Sequence, residues 1–407
     1  MKHARIPISA LRQRRGSGGF TLVEMMIAMT VGLVLALAVA LSMLSMGHQF
    51  RLVGAGSAAQ VNVQLAVSVI NEAGRQAGAG LYNNGQPICQ GFNAWRNGVV
   101  VSNGATLMPA RITDGGTNTA PDSLLFNGAN ATGALSGMPV LEAMATGTAS
   151  VVVSDGGLIA ANDLAIVGVP GSTTEPCTLF QLSAAPAVGA ACGGNATQCK
   201  TLARAQLVNA GYNAPAGTFT NEPRYGFATA APVVGPAVVM RLGPAFRQEA
   251  FAVMCNTLVQ FNAFSDVPTC ASSPLSFGGG ANALATDIVL LKAQYGISAT
   301  AASDVVTNWV AASGVWANPS AAEALRIKAV RVVVVARSKE PDGAQVSAAS
   351  CTNSNGVVNT GPCSFEDAEA PVIDLSATSV PSGRSWRNFR YRVHQAVIPL
   401  RNVIWSN

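Results

Sequence analysis

The sequence predicts an α+β chain, in which one long N-terminal helix starts in a membrane and continues as the spine of a mainly antiparallel β outer domain with long loops. Three observations carry this reading. The 22 residues from Met25 to Met46 include no charge, and at about 1.5 Å of rise each they span the roughly 30 Å hydrocarbon core of a bilayer. No proline occurs between Phe20 and Pro87, and Val61, Leu65 and Val69, spaced by four, carry the helical pattern on with Ala58, Ala66, Ala73 and Ala77. Beyond Gly80 short apolar runs alternate with Gly, Asn, Ser and Pro clusters, the pattern of strands and loops.

Residues 1–19 form a basic leader. It holds Lys2, Arg5, Arg12, Arg14 and Arg15 and no acidic residue, and without it twenty basic residues face twenty acidic ones. The net charge of +5 therefore belongs to the leader, and global charge gives no reason to expect a nucleic-acid partner. Basic residues beside a span stay on the cytoplasmic side, which places everything after Met46 outside the cytoplasm. The eight cysteines agree with an oxidising compartment. A cleaved secretory signal fits poorly, because the apolar run exceeds the usual length of roughly 7–15 residues.

Gly18-Gly19-Phe20-Thr21-Leu22-Val23-Glu24, set between the leader and the apolar run, resembles the class III signal of type IV pilins and type II secretion pseudopilins. The resemblance implies a prepilin peptidase that cuts between Gly19 and Phe20 and methylates the Phe20 amine. It also gives Glu24 a purpose. A lone carboxylate in a span costs about 3 kcal/mol, and a plain anchor has no use for one. Cleavage creates a cationic amine one turn away, about 6 Å along the axis, so the amine of a neighbouring helix can pair with Glu24 and fix register. A Glu24 shallow enough to reach the headgroups is the alternative.

The spine is expected to divide into a transmembrane half, 20–46, and an extramembrane half, 47–80, with Gly54 and Gly56 able to bend it and Gly74, Gly78 and Gly80 ending it. The β-rich domain then runs over 81–407. Strands are read near Gly98–Ser102, Ser123–Asn127, Ser150–Ser154, Leu164–Val169, Thr178–Leu182, Val238–Leu242, Leu258–Phe261, Asp287–Tyr295, Ile327–Ser338 and Arg390–Pro399, with loops at Gly128–Gly137, Ala184–Asn195 and Ala271–Gly280. Eight cysteines allow about 105 pairings. Short loops favour Cys192 with Cys199, Cys255 with Cys270 and Cys351 with Cys363, leaving Cys89 for Cys177.

The segments Asp287–Gly296, Leu325–Ser338 and Tyr391–Asn402 are similar to the closing region of PilW-type minor pilins, about 287–407 here. That resemblance implies a non-enzymatic subunit that primes a type IV pilus and is incorporated into it. Its partners would be other minor pilins, the major pilin, the prepilin peptidase, the inner-membrane assembly platform and membrane lipid, with no cofactor. A type II secretion pseudopilin like pseudopilin J is the alternative, and a membrane-anchored enzyme or receptor domain a more distant one.

Catalysis lacks residues. His394 is the one histidine beyond the membrane exit, no GxSxG or GxxxxGK[ST] motif occurs, and no metal site is expected. Asp114 to Asp122 groups oxygen ligands without EF-hand spacing. One stretch remains, Arg384–His394, where Arg387, Arg390, Arg392 and His394 interleave with aromatics. Alternation sends Arg390, Arg392 and His394 to one face of a strand, either as a docking patch or as a solvated face that protects an edge.

Overall fold

The computed structural model describes residues 19, 21–83, 86–129, 137–154, 159–188, 199–205, 211–225, 237–264, 268–272 and 275–404. The chain divides into two units, Met1–Gly54 and Ala55–Asn407. Helix α1, Leu22–Gln76, contributes to both. The class is α+β, as the sequence predicts.

In the first unit, the stretch Leu22–Met43 is long and apolar enough to cross a membrane and buries nothing in this unit. Leu22, Met26, Met29, Leu33, Leu37 and Leu41 are all exposed, so apolar side chains surround the helix, as a span requires. Its hydroxyls are satisfied within the helix: Thr30 Oγ1 donates to Ile27 O and Ser42 Oγ to Ala38 O, both at 2.9 Å.

The second unit is built on three antiparallel-rich sheets. A six-stranded sheet has the order Val99–Thr106, Gly91–Arg96, Cys177–Gln181, Leu164–Gly168, Val238–Gly243, Met138–Pro139. Its one parallel pairing joins Cys177–Gln181 to Gly91–Arg96, beside the Cys89–Cys177 disulfide. A five-stranded sheet runs Asn282–Thr286, Thr257–Asn262, Phe246–Met254, Ser123–Ala129, Ala110–Thr113. The closing sheet runs Val306–Val310, Ile288–Ser298, Ile327–Arg337, Tyr391–Pro399.

The outer part of α1 packs on the last two sheets. Ala59, Val63, Ala66, Val67, Ile70, Ala73 and Ala77 form one cluster with Phe126, Phe251, Leu291, Tyr295, Val332, Val334 and Ile398. This corrects the expected stripe, for Val61 and Leu65 are exposed and the helix is rotated so that the small and β-branched residues face the sheets. Gly74 shows why small residues are needed, since a Cβ there would lie 2.6 Å from Ile398 Cγ2. The helix end is closed by side chains and backbone from afar: Asn402 Nδ2 donates to Ala77 O at 2.9 Å, and Gly78 N donates to Asn127 O at 2.8 Å.

The other face of the closing sheet is covered by the strap 339–389, through Phe365, Ile373, Leu375 and Trp386 against Leu290, Val333 and Val335. Both faces of Ile327–Arg337 are thus buried, which is why its stretch Val332–Ala336 reads as an unbroken apolar run. In the three sheets the sequence reading missed Gly91–Arg96, Ala110–Thr113, Met138–Pro139, Phe246–Met254, Asn282–Thr286 and Val306–Val310. The expected loop Ala271–Gly280 also contains a hairpin, Cys270–Ser272 with Leu275–Phe277. Its first strand is tied by the Cys255–Cys270 disulfide. Residues 1–18 of the leader, Phe20, Cys192 and parts of the other two expected loops lie outside the described residues.

Candidate functional site

The first candidate site is the start of α1. Gly19 is exposed, with nothing within 4 Å of where a Cβ would stand. Thr21 and Glu24 form a capping box: Glu24 N donates to Thr21 Oγ1 at 3.2 Å, while Thr21 N and Thr21 Oγ1 both donate to Glu24 Oε2 at 3.1 Å. The box satisfies backbone donors that the first turn of any helix leaves open. Sequence reasoning missed Thr21, although the T-x-x-E spacing announces it. The two bonds that Thr21 donates both go to Oε2, which leaves Oε1 to the surroundings.

The second is the closing sheet, where four cations stand on the two central strands. Lys292, Lys328, Arg331 and Arg337 are all buried. Arg331 is the most elaborately held. Its Nη1 and Nη2 donate to the Asp367 carboxylate at 2.6 and 3.1 Å, its Nε to Gln294 Oε1 at 2.7 Å, and Nη2 also to Glu369 O at 2.6 Å. The guanidinium lies 4.7 Å from the ring centres of both Trp309 and Phe365, the geometry of paired cation–π contacts. The hydrogen bonds and charge of Arg331 hold the Asp367 carboxyl below its ordinary value. Lys292 Nζ donates to Asp122 Oδ1 at 2.9 Å, and Asp122 also accepts from Gly115 N and Ala293 N. That carboxylate is therefore committed to the fold rather than left for calcium, and among the described residues no group of three His, Cys, Asp or Glu is placed to hold a metal.

The residues of the basic stretch are dispersed. Arg387 Nε donates to Ser347 O at 3.0 Å. Arg390 lies just before the last strand and pairs with Asp342 at 3.1 Å. Arg392 and His394 stand opposite Ala336 and Val334, on the face that Val334 and Ala336 turn to the α1 cluster, and Arg392 Nη2 reaches within 3.8 Å of the Cβ position of Gly56. Tyr391 and Val393 pack beneath the strap. The Cys351–Cys363 disulfide ties the strap itself.

Residues 14–40 match the family described as the prokaryotic N-terminal methylation motif, and residues 276–402 match the family described as type IV pilus-assembly protein W. Together the two matches support a type IV pilus minor pilin of the PilW family. The two matches cover the two candidate sites, the capped start of α1 and the closing sheet with its strap. Neither a curated protein nor a solved structure matches the chain. Residues 41–275, which include the six-stranded sheet, lie outside both matches.

Proposed function

We propose that this chain is a non-enzymatic minor pilin that primes a type IV pilus and enters it beside other minor pilins and the major pilin. Residues 1–19 are the leader removed by the prepilin peptidase, 20–46 the inner-membrane half of the helix, 47–80 its extramembrane half, and 81–407 a periplasmic domain. The lone carboxylate Glu24, inside a span preceded by a methylation motif, carries this reading.

Glu24 acts in two ways. Oε2 closes the capping box with Thr21 in its own chain, and Oε1 accepts the Phe20 amine of a neighbouring subunit. At about 4 Å and an effective dielectric near 20 that attraction is roughly 4 kcal/mol, enough to offset the cost of about 3 kcal/mol for a carboxylate in the span. Insertion beside a partner becomes favourable, and the pairing sets the stagger of the helices.

Mass spectrometry of the mature N-terminus tests processing, with methylated Phe20 as the expected first residue. A start at Met1, or a cut beyond Met46, overturns the reading. Glu24→Gln keeps an amide oxygen for Thr21 but removes the charge, so it leaves cleavage and insertion intact while lowering pilus number. Normal piliation in that variant refutes the pairing mechanism.

A further inference from the structure

Each sheet in the second unit ends in edge strands, and all but one of the long-sheet edges are blocked. Val99–Thr106 is broken by two register shifts against Gly91–Arg96 and tied through Asn103 to Thr220. Met138–Pro139 is two residues long and contains proline. Ala110–Thr113 has its Ile112 N–H taken by the Tyr295 hydroxyl at 2.6 Å, and Asn282–Thr286 has its Thr286 carbonyl taken by Asn62 Nδ2 at 3.1 Å. On Val306–Val310 the Glu369 carboxylate accepts from Trp309 N at 2.6 Å. Short length, bulges and side-chain caps are the ordinary protections of a sheet edge.

Tyr391–Pro399 has none of them. It runs nine residues in unbroken register against Ile327–Arg337. Leu400 N donates to Lys328 O and Ser338 N to Arg390 O, so the even-numbered residues turn their backbone groups inward. The odd ones, Tyr391, Val393, Gln395 and Val397, turn N–H and C=O outward. Among the described residues none of these outward groups meets a partner. Gln395 and Val397 are exposed on the face away from α1.

We infer that this edge is a strand-addition site for an extended, acidic segment of a second pilus subunit. An open antiparallel edge offers alternating donors and acceptors, and another strand satisfies all of them at once. The charge chooses among strands: the edge carries exposed Arg392 and no carboxylate, so two copies of it would join two strands without a single acidic partner, whereas an acidic residue opposite Arg392 completes the pair. A nucleic acid has no row of alternating amides, and Arg387 and Arg390 are already engaged by Ser347 and Asp342. The inference rests on the pilin reading, since it supplies that subunit with a partner surface.

Hydrogen exchange with single-residue resolution on the full chain, free in detergent and again in isolated pili, reads the edge directly. The amides of Val393, Gln395 and Val397 are expected to exchange fast in the free chain and at least about tenfold slower in pili, while those of His394 and Ala396 are protected in both. A photo-crosslinker at Gln395 should then join a peptide that contains Asp or Glu and belongs to a different protein with its own methylation motif. Val397→Pro, which places a ring on the outward side of an edge where proline is tolerated, should abolish that crosslink and leave the melting temperature within a few degrees. Odd-numbered amides that stay fast in pili overturn the proposal, as does a crosslink to this chain's own sequence or to nucleic acid. If the mature N-terminus is methylated Phe20 and the chain is found in pili, such a failure removes the strand-addition site and leaves the pilin reading standing.

Discussion

Replacing Arg331 by methionine keeps a flexible chain of similar length between Trp309 and Phe365 and removes the charge and its donors. Asp367 loses its bidentate partner, but its side chain is 44% exposed and rehydrates. Gln294 Oε1, in a side chain only 8% exposed, is left without a donor, which costs about 1–3 kcal/mol. The lost ring contacts cost about 1 kcal/mol, part of which methionine sulfur returns. Releasing a buried guanidinium from its desolvation works in the opposite direction. The net is a loss of about 2–3 kcal/mol, below the roughly 3–5 kcal/mol expected when a buried charge is left with no compensation. With a urea slope near 3 kcal/mol per molar, the midpoint followed by tryptophan fluorescence falls by about 1 M, and the strap 339–389 becomes a preferred site of limited proteolysis. Adding Gln294→Leu, which removes the orphaned oxygen, recovers more than half of the loss. A midpoint within about 0.2 M of the parent refutes the assignment of Arg331 as the clamp that holds the strap.

Titration gives a matching prediction: because the folded Asp367 carboxyl lies below its ordinary 3.8, its stabilisation is complete above that value and is lost as pH falls below it, so the stability gap between parent and Arg331→Met should narrow only below about pH 4. Gly74→Ala should destabilise by about 1–2 kcal/mol despite a gain of about 1 kcal/mol in helix propensity, because its Cβ meets Ile398 and Phe126; a stabilised variant by thermal melting would contradict this packing. Removing Cys89–Cys177, with a separation of 88, should cost about 1.8 kcal/mol more than removing Cys351–Cys363, with a separation of 12, when both pairs are changed to alanine and unfolding is measured in urea. Equal losses would show that loop closure does not set their contributions.

Much of the molecule is legible where burial imposes a simple pattern. Met25–Met46 has a membrane's length, and Val332–Ala336 is apolar because strap and helix cover both of its faces. The phase of α1 outside the membrane is harder. Val61 and Leu65 on one side and Val63, Val67 and Ile70 on the other both repeat at helical spacing, and only the sheets that arrive later decide which stripe is inside. Phe246–Met254 escapes because Arg247-Gln248-Glu249 breaks its apolar run, although the alternation of buried residues along it is that of a strand. The Arg331 clamp is invisible for a different reason. Its carboxylate lies 36 positions away, and that of Lys292 lies 170 positions away, distances over which sequence spacing carries no signal. At the start of α1 the opposite holds, for Thr21 and Glu24 are neighbours whose spacing states the capping box outright.

Asn402, whose amide closes the end of α1, stands 325 positions beyond Ala77. Its neighbour Ile398 fills the notch above Gly74, so the spine is finished only by the strand that is made long after it. Until then the helix terminus keeps open carbonyls and an uncovered apolar stripe, and closing so long a loop is a slow, entropically costly step. The consequence is temporal: the spine stays unfinished while more than three hundred further residues are made. Docking of Tyr391–Pro399 then completes the helix and opens the fresh edge in one event, which makes that edge a timer as well as a surface, available only on subunits that have finished folding.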